Sequence, residues 1–98
     1  MTHPVTIRPE AQRDIEEAAF WYEIQRPGLG DQFILQVDSL LHRIEETPLQ
    51  FPDVSHGVRR GLVHRFPFAV YFVLSTASCS VIGVLHQHRH PDDWKRRA

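Results

Sequence analysis

The sequence predicts a single-domain α+β protein in which a helical hairpin packs on an antiparallel sheet, with the element order β-α-α-β-β-β. Three observations lead to this prediction. The chain has 98 residues, of which 42% are hydrophobic, so it can bury one compact core. Two segments of the first half have apolar residues at helical spacing, and three segments of the second half have the apolar pattern of strands. We expect residues 1–98 to form one domain, with residues 91–98 as a polar C-terminal tail.

The first two elements are a short strand and a helix. Residues 4–8 alternate apolar and polar side chains, which is typical of a strand. Pro9 is favourable at the first position of a helix, and Pro27-Gly28 ends that helix near Arg26. The helix has one apolar stripe, formed by Ala11, Ile15, Ala18, Ala19 and Tyr22.

A second helix is predicted from Leu29 to Glu46, ending before Pro48. The connection to the first helix is very short, so the two helices must pack antiparallel to bury their stripes. The stripe of this second helix consists of Leu29, Phe33, Val37, Leu40, Leu41 and Ile44.

The second half of the chain predicts a loop followed by three strands. Residues 48–57 contain two prolines and a Ser-His-Gly turn, which indicates a loop. The strands are expected at residues 58–64, 68–75 and 80–88, and the links between them have the length of hairpin turns. Residues 68–74 are almost all apolar, which favours a central strand.

Charge is distributed unevenly along the chain, although the net charge is only −1. Residues 1–49 contain four arginines and nine acidic residues, a balance of −5. Residues 50–98 contain seven basic and three acidic residues, a balance of +4, together with five of the seven histidines. We therefore expect an acidic partner to contact the C-terminal half.

Several classes of protein are disfavoured by composition. No apolar run is long enough to span a membrane, and the N-terminus does not resemble a signal peptide, so we expect a cytoplasmic protein without membrane contact. The single cysteine, Cys79, excludes an internal disulfide framework and a cysteine-only zinc site. It is expected to pack as a small apolar residue.

The histidines near the C-terminus are the first candidate site. On a strand, His86, His88 and His90 would project from one face and could bind a transition metal. Pro91 indicates that the strand has ended by this point, and partly solvated histidines at the rim of a sheet are the simpler interpretation. We predict neither a metal site nor a cofactor.

The same region offers groups for acid–base chemistry on a phosphodiester. Imidazole can act as base or acid and guanidinium can stabilise a phosphorane, which suggests Arg65, His86, His88 and Arg89 as catalytic residues if the protein is a ribonuclease. The alternative is that Arg65, with Arg59 and Arg60, solvates the outer face of the sheet. On the first helix, Trp21 lies beside the buried stripe, which favours core packing or a partner groove.

Five segments together carry a family resemblance that extends over nearly the whole chain. The chain resembles the RelE/ParE superfamily of toxins from type II toxin–antitoxin modules, and is more similar to the ParE-like branch. The segments are Arg8-Pro9-Glu10-Ala11, Glu17-Ala18-Ala19-Phe20-Trp21-Tyr22-Glu23, Arg26-Pro27-Gly28-Leu29-Gly30, Arg65-Phe66-Pro67-Phe68-Ala69-Val70-Tyr71, and Val84-Leu85-His86 leading into Arg89-His90-Pro91-Asp92-Asp93-Trp94. The fold of the superfamily, a helical hairpin against an antiparallel sheet, has the same element order.

The resemblance implies a toxin that forms a hetero-oligomer with a cognate antitoxin and causes growth arrest, as in plasmid stabilisation modules. The ParE-like branch implies inhibition of DNA gyrase without catalysis, whereas the other branch cleaves mRNA at the ribosome. Ribonuclease members tend to have an arginine near the position of Ala69 and a tyrosine or histidine near that of Trp94. Alanine lacks the positive charge of that arginine, and indole cannot exchange a proton as phenol or imidazole can. A third alternative is a non-toxic member that only binds antitoxin.

Two surfaces follow from this hypothesis. The residues expected to bind the antitoxin are Trp21, Arg59 and Arg60. The residues expected to bind the target lie near the C-terminus and are His86, His88, Arg89, His90, Trp94, Lys95, Arg96 and Arg97.

Overall fold

The computed structural model describes residues 4–89 and 92–98, which form a five-stranded sheet with two helices on one face. The strand order in the sheet is β1-β5-β4-β3-β2. In chain order the elements are β1 (Val5–Ile7), α1 (Pro9–Gln25), α2 (Leu29–Glu46), a 3-10 helix (Pro48–Gln50), β2 (Asp53–Ser55), β3 (Val58–Leu62), β4 (Phe68–Leu74), β5 (Cys79–His86) and a C-terminal 3-10 helix (Asp93–Arg97).

The predicted α+β architecture is confirmed, with three corrections. The segment 48–57, predicted as a loop, contains β2, whose three residues are too few for the alternation of apolar and polar side chains to indicate a strand. The strand forms because His56 and Gly57 both have positive φ, a turn that suits a two-residue hairpin. The sheet is mixed and not fully antiparallel, since β1 pairs parallel to β5. The last three strands also end earlier than predicted, at Leu62, Leu74 and His86.

The helical hairpin is closed by a carboxylate from α1. Gly28 precedes α2 with φ +91°, a left-handed conformation that glycine adopts readily, and it has no side chain that could cap the helix. Glu23 replaces the missing cap, because its carboxylate accepts the N–H groups of Gly28, at 2.9 Å, and of Gly30, at 3.1 Å. The two helices are thereby joined at their turn. Neither helix in the described part of the chain is long and apolar enough to cross a membrane.

The main core lies between the helices and the sheet. Four aromatic rings form its centre at the end of the hairpin turn, with ring centroids 4.8–6.0 Å apart. Four of the five ring pairs are T-shaped, so the edge of one ring packs against the face of the other. The four residues are Tyr22, Phe33, Phe66 and Phe68.

A bulge in β5 determines which residues of its second half face the helices. Phe72 is opposite Val81 while Tyr71 is opposite Gly83, so Ile82 is an extra residue in the strand. Val81 packs in the helix-side core before the bulge, and Val84 packs there after it. Because the alternation is shifted by one residue, His86 also lies on the helix side, opposite Phe68.

The opposite face of the sheet has its own apolar cluster, covered by the C-terminal 3-10 helix. The indole of Trp94 stacks on Tyr71, with ring centroids 5.3 Å apart and an angle of 13° between the planes. Trp94 also belongs to one cluster with Ile82 and Leu85, and only 7% of its surface is exposed. The C-terminal tail, which is polar apart from Trp94, is therefore anchored on the sheet by that residue.

The buried thiol of Cys79 provides a test of this packing. Burial raises its pKa to about 11 from an ordinary value of 9.0, with the charge of Glu45 adding to the effect. The reactive species is the thiolate, and a pKa higher by about two units makes the thiolate fraction at pH 8 about 100-fold smaller in the folded protein than in the denatured chain. The folded protein should therefore react with iodoacetamide about 100-fold more slowly at that pH. A Cys79→Ala/Thr76→Cys variant, with the thiol in an exposed turn, should react at the rate of a free thiol. Equal rates for the folded and denatured wild-type chains would contradict this prediction.

Candidate functional site

A groove of about 360 Å³ lies between α1, the end of β5 and the C-terminal 3-10 helix. Its walls carry charged groups of both signs over an apolar floor of Ala18, Phe68, Val84 and Leu85. We call this cavity the first groove. The charged and aromatic residues that line it are Asp14, Glu17, Trp21, His86, Arg89, Asp93 and Arg97.

An ion pair between Arg97 and Asp14 joins two walls of the first groove. The Arg97 Nη1–Asp14 Oδ2 distance is 2.5 Å and the Nη2–Oδ1 distance is 3.4 Å. The hydrogen bond to Asp14, assisted by the charges of nearby carboxylates, raises the pKa of Arg97 against the opposing effect of burial. Arg97 is therefore charged at every physiological pH.

The same pair also binds the backbone of β5 next to its bulge. Asp14 Oδ2 accepts the Val84 N–H at 3.0 Å, and Arg97 Nη1 donates to the Ile82 carbonyl at 3.3 Å. A Cβ atom on Gly83 would lie 3.2 Å from Arg97 Nη1, so glycine permits this close approach. β1 pairs with β5 only as far as Val81, and the ion pair supplies hydrogen-bond partners for backbone groups of β5 beyond that residue.

Arg89 and Trp21 face each other on the first groove. The Arg89 guanidinium carbon lies 5.5 Å from the centroid of the indole ring, which is cation–π geometry. Trp21 is 45% exposed, and its ring meets the edge of Tyr22 at 5.1 Å. Burial raises the pKa of the Tyr22 hydroxyl, and the charge of Arg89 partly opposes that effect. Trp21 therefore presents a large apolar surface next to a cation.

His86 is held by the turn that follows β5. Its Nδ1 accepts the backbone N–H groups of His88, at 3.1 Å, and Arg89, at 3.2 Å. An imidazole nitrogen that accepts hydrogen bonds has no hydrogen of its own, so the neutral ring carries its hydrogen on Nε2. The ring also contacts Phe68 and His88, at centroid distances of 5.3 and 5.8 Å. In this geometry Nδ1 orders the turn and is occupied.

Comparison with known proteins identifies the fold. No family model matches the chain, and no curated protein matches it. A solved structure titled "Chromosomal ParDE TA system from P. aeruginosa" superimposes with a TM-score of 0.77 and 15% sequence identity, covering 87% of this chain and 96% of that one. The fold is ParE-like. This result confirms the fold that the family resemblance implies.

The ParE-like fold brings together four of the residues predicted to be functional. Trp21 is at least 65 positions away in the sequence from His86, Arg89 and Arg97. All four nevertheless line the first groove. Arg97 differs from the others because its guanidinium is engaged by Asp14. The sequence did not predict the three acidic residues of the groove, which are Asp14, Glu17 and Asp93. Nothing in the local pattern of α1 or of the tail indicates that these two segments line the same cavity.

The ParE-like fold places the other predicted arginines elsewhere. Arg65 lies in the turn between β3 and β4 and lines a different cavity. Arg59 and Arg60 are adjacent in β3 and therefore point to opposite faces of the sheet, so the expectation that both solvate the outer face is wrong for Arg59. Arg59 Nη1 donates to the Phe51 carbonyl at 2.6 Å, whereas Arg60 is opposite Tyr71 on the outer face.

Lys95 and Arg96 are exposed on the C-terminal 3-10 helix. They form ion pairs with Asp92 and Asp93, each at 3.1 Å and each between residues three positions apart. Exposed ion pairs of this kind contribute little to stability, so breaking them to let the two cations bind a partner would cost little free energy.

The histidines do not form a metal site in the part of the chain that the structure describes. Residues 4–89 and 92–98 contain no group of three or more histidine, cysteine, aspartate or glutamate residues placed to hold a metal ion. β5 ends at His86, so His88 lies in the following turn and is exposed. His90, which is predicted to bind the target, lies outside the described residues.

Proposed function

We propose that the protein is the toxin of a type II toxin–antitoxin module, neutralised by a cognate antitoxin and acting on DNA gyrase by protein contact. The ParE-like fold, shared with a structure of a ParDE TA system, is the observation that carries the proposal. The sequence resemblance to the ParE-like branch supports it independently of the superposition. The groove residues indicate how each partner would bind.

The antitoxin would bind at the exposed apolar surface of α1. Trp21 is nearly half exposed, and Phe20 and Ile24 on the same helix are 69% and 64% exposed. Apolar side chains of this size at a solvent-facing helix are typical of a surface that a partner covers. An amphipathic segment of the antitoxin would pack on these side chains and enter the first groove beside Trp21.

The target would bind at the basic rim formed by the turn after β5 and the C-terminal 3-10 helix. His88, Arg89, Lys95 and Arg96 are all exposed there. Arg89 and Asp93 line the same groove, so the turn and the 3-10 helix border one surface. A positive surface favours association with an acidic protein or with a protein–DNA complex.

The ribonuclease alternative receives less support from the geometry. The four residues proposed for that chemistry are divided between two cavities, since Arg65 does not line the first groove. His86 Nδ1 accepts two backbone N–H groups, so in this geometry that nitrogen does not face a substrate as a free base. A contact inhibitor needs the basic surface but no assembled acid and base.

The test is a supercoiling assay with purified gyrase, combined with a DNA-damage reporter in cells that express the protein without antitoxin. We expect inhibition, accumulation of cleaved DNA and growth arrest with the reporter switched on. A triple Arg89→Ala/Lys95→Ala/Arg96→Ala variant should lose these effects, whereas Arg13→Ala/Arg43→Ala, which removes exposed arginines from the two helices, should retain them.

Two outcomes would contradict the proposal. Growth arrest with a silent reporter, together with mRNA breaks in a translating extract, would identify a ribonuclease. Absence of any growth effect, with tight binding of antitoxin retained, would identify a non-toxic antitoxin-binding protein.

A further inference from the structure

A second groove lies between the α1–α2 turn and the β3–β4 turn, and its chemistry differs from that of the first groove. Its lining includes two arginines, three glutamines and several apolar side chains. No aspartate or glutamate is among the described residues that line it, whereas the first groove has three carboxylates. The charged residues of the second groove, Arg26 and Arg65, are both exposed. Neither forms an ion pair within residues 4–89 and 92–98.

The backbone at Arg65 has a conformation that few side chains other than asparagine adopt. Arg65 has φ +70°, in the left-handed region that glycine and asparagine occupy most readily in such turns. A larger residue in this conformation costs roughly 1 kcal/mol or more. An arginine in this turn therefore carries a conformational cost that glycine would avoid.

The remaining lining residues favour a peptide over a small anion. Leu35 is 65% exposed, and Leu29 and Phe66 are half-buried beside it. These residues form an apolar surface that an apolar side chain could cover. Glutamine side chains have both a donor and an acceptor, which matches the alternating N–H and C=O groups of an extended peptide backbone. Gln25, Gln32 and Gln36 are placed around the groove.

The surrounding charge disfavours a nucleic acid at this position. The helical half of the chain, residues 1–49, has a net charge of −5. A nucleic acid carries a negative charge on every nucleotide, and α2, which borders the groove, has exposed carboxylates at Asp31 and Asp38 that would repel it. A peptide can place its few acidic residues at the arginines alone.

We propose that the second groove binds an acidic peptide segment of a partner protein, with one or two carboxylates at Arg26 and Arg65 and an apolar side chain on Leu35. Guanidinium groups bind carboxylates in a bidentate manner, which gives both strength and orientation. If the partner is the antitoxin, an assignment that rests on the proposed function, an acidic segment would occupy this groove while an apolar segment occupies the first.

The probe is a library of short random peptides displayed on phage and selected on the purified, folded protein. We expect the selected peptides to combine aspartate or glutamate with leucine or phenylalanine. Their affinity should fall about tenfold or more in the Arg26→Gln/Arg65→Gln variant, because charge-assisted hydrogen bonds are lost. The matched control is Arg13→Gln/Arg43→Gln, which removes the same number of positive charges at positions outside the groove and should leave the affinity unchanged.

The measurement separates this proposal from the proposed function, because peptide binding to the purified protein depends on neither gyrase nor growth arrest. Selection of basic or uncharged peptides, or of none, would overturn the inference. It would also be overturned if acidic peptides bound equally well to Arg26→Gln/Arg65→Gln. Tighter binding of a single-stranded RNA oligonucleotide, lost in the same variant, would assign the groove to nucleic acid instead.

Discussion

Replacement of Gly30 by alanine is expected to lower the free energy of unfolding by about 2 kcal/mol, although alanine is the better helix former. A Cβ atom at this position would lie 2.5 Å from the backbone carbonyl oxygen of Ala19 and about 3 Å from Glu23. Since the nearest atom belongs to the backbone of α1, no side chain can rotate away, and the two helices must separate. Denaturant titration followed by circular dichroism would measure the change.

The adjacent exposed position provides the control for this prediction. Asp31→Ala removes a side chain from the same turn of α2 without a new contact with α1, and should change stability by less than about 0.5 kcal/mol. If Gly30→Ala were as stable as Asp31→Ala, the close packing of the hairpin at this point would be wrong.

Removal of the Arg97 side chain is expected to destabilise the protein by about 2 kcal/mol and to release the C-terminal 3-10 helix. Arg97→Ala leaves the Asp14 carboxylate, whose side chain is only 13% exposed, with the Val84 N–H as its remaining hydrogen-bond partner within residues 4–89 and 92–98. Breaking a largely buried ion pair by removing one member leaves an uncompensated charge. The change would be measured by thermal and denaturant unfolding, and the loss of Trp94 stacking on Tyr71 by indole fluorescence.

Two variants separate this effect from a general effect of lost charge. Arg96→Ala removes a neighbouring cation whose side chain is 77% exposed, and should cost less than about 0.5 kcal/mol. The double variant Asp14→Asn/Arg97→Ala should be less destabilised than the sum of the single changes by about 1 kcal/mol, because the uncompensated charge is absent. Equal stability of Arg97→Ala and Arg96→Ala would show that the ion pair does not hold the tail.

These two predictions concern the contacts that build the candidate sites. Gly30 and Glu23 hold α1 and α2 together near the second groove, because the α1–α2 turn forms one of its walls. Arg97 and Asp14 hold the tail against β5 and form part of the first groove. Each groove is therefore sensitive to one of the two substitutions.

The helical half of the fold could be predicted closely from the sequence. The apolar spacing and the Pro27-Gly28 break locate both helices, and α2 has the predicted bounds. Helical periodicity extends over many residues, so it is a strong local signal. β2 was missed because it has three residues and depends on a neighbouring strand for its hydrogen bonds, which no local pattern records.

The candidate site was predicted in part, by residue type more than by arrangement. Trp21 was predicted from its place beside the apolar stripe of the first helix, and His86 and Arg89 from their chemistry. The structure places all three on one groove. Nothing in the local pattern of α1 indicates that the carboxylate of Asp14 binds Arg97, 83 positions away. The second groove was not predicted, because Arg26 and Arg65 come together only when the two turns pack at the same end of the sheet.

By itself the sequence determined the hairpin of helices, the buried central strand and the family resemblance, since these depend on local periodicity and on segments of neighbouring residues. Only the tertiary structure decided that β1 joins β5 in parallel, that a bulge at Ile82 turns His86 toward the helices, and that the tail is held by Arg97. The physical reason is that strand pairing, register and long-range ion pairs are interactions between distant segments. Their free energy appears only when the whole chain has packed.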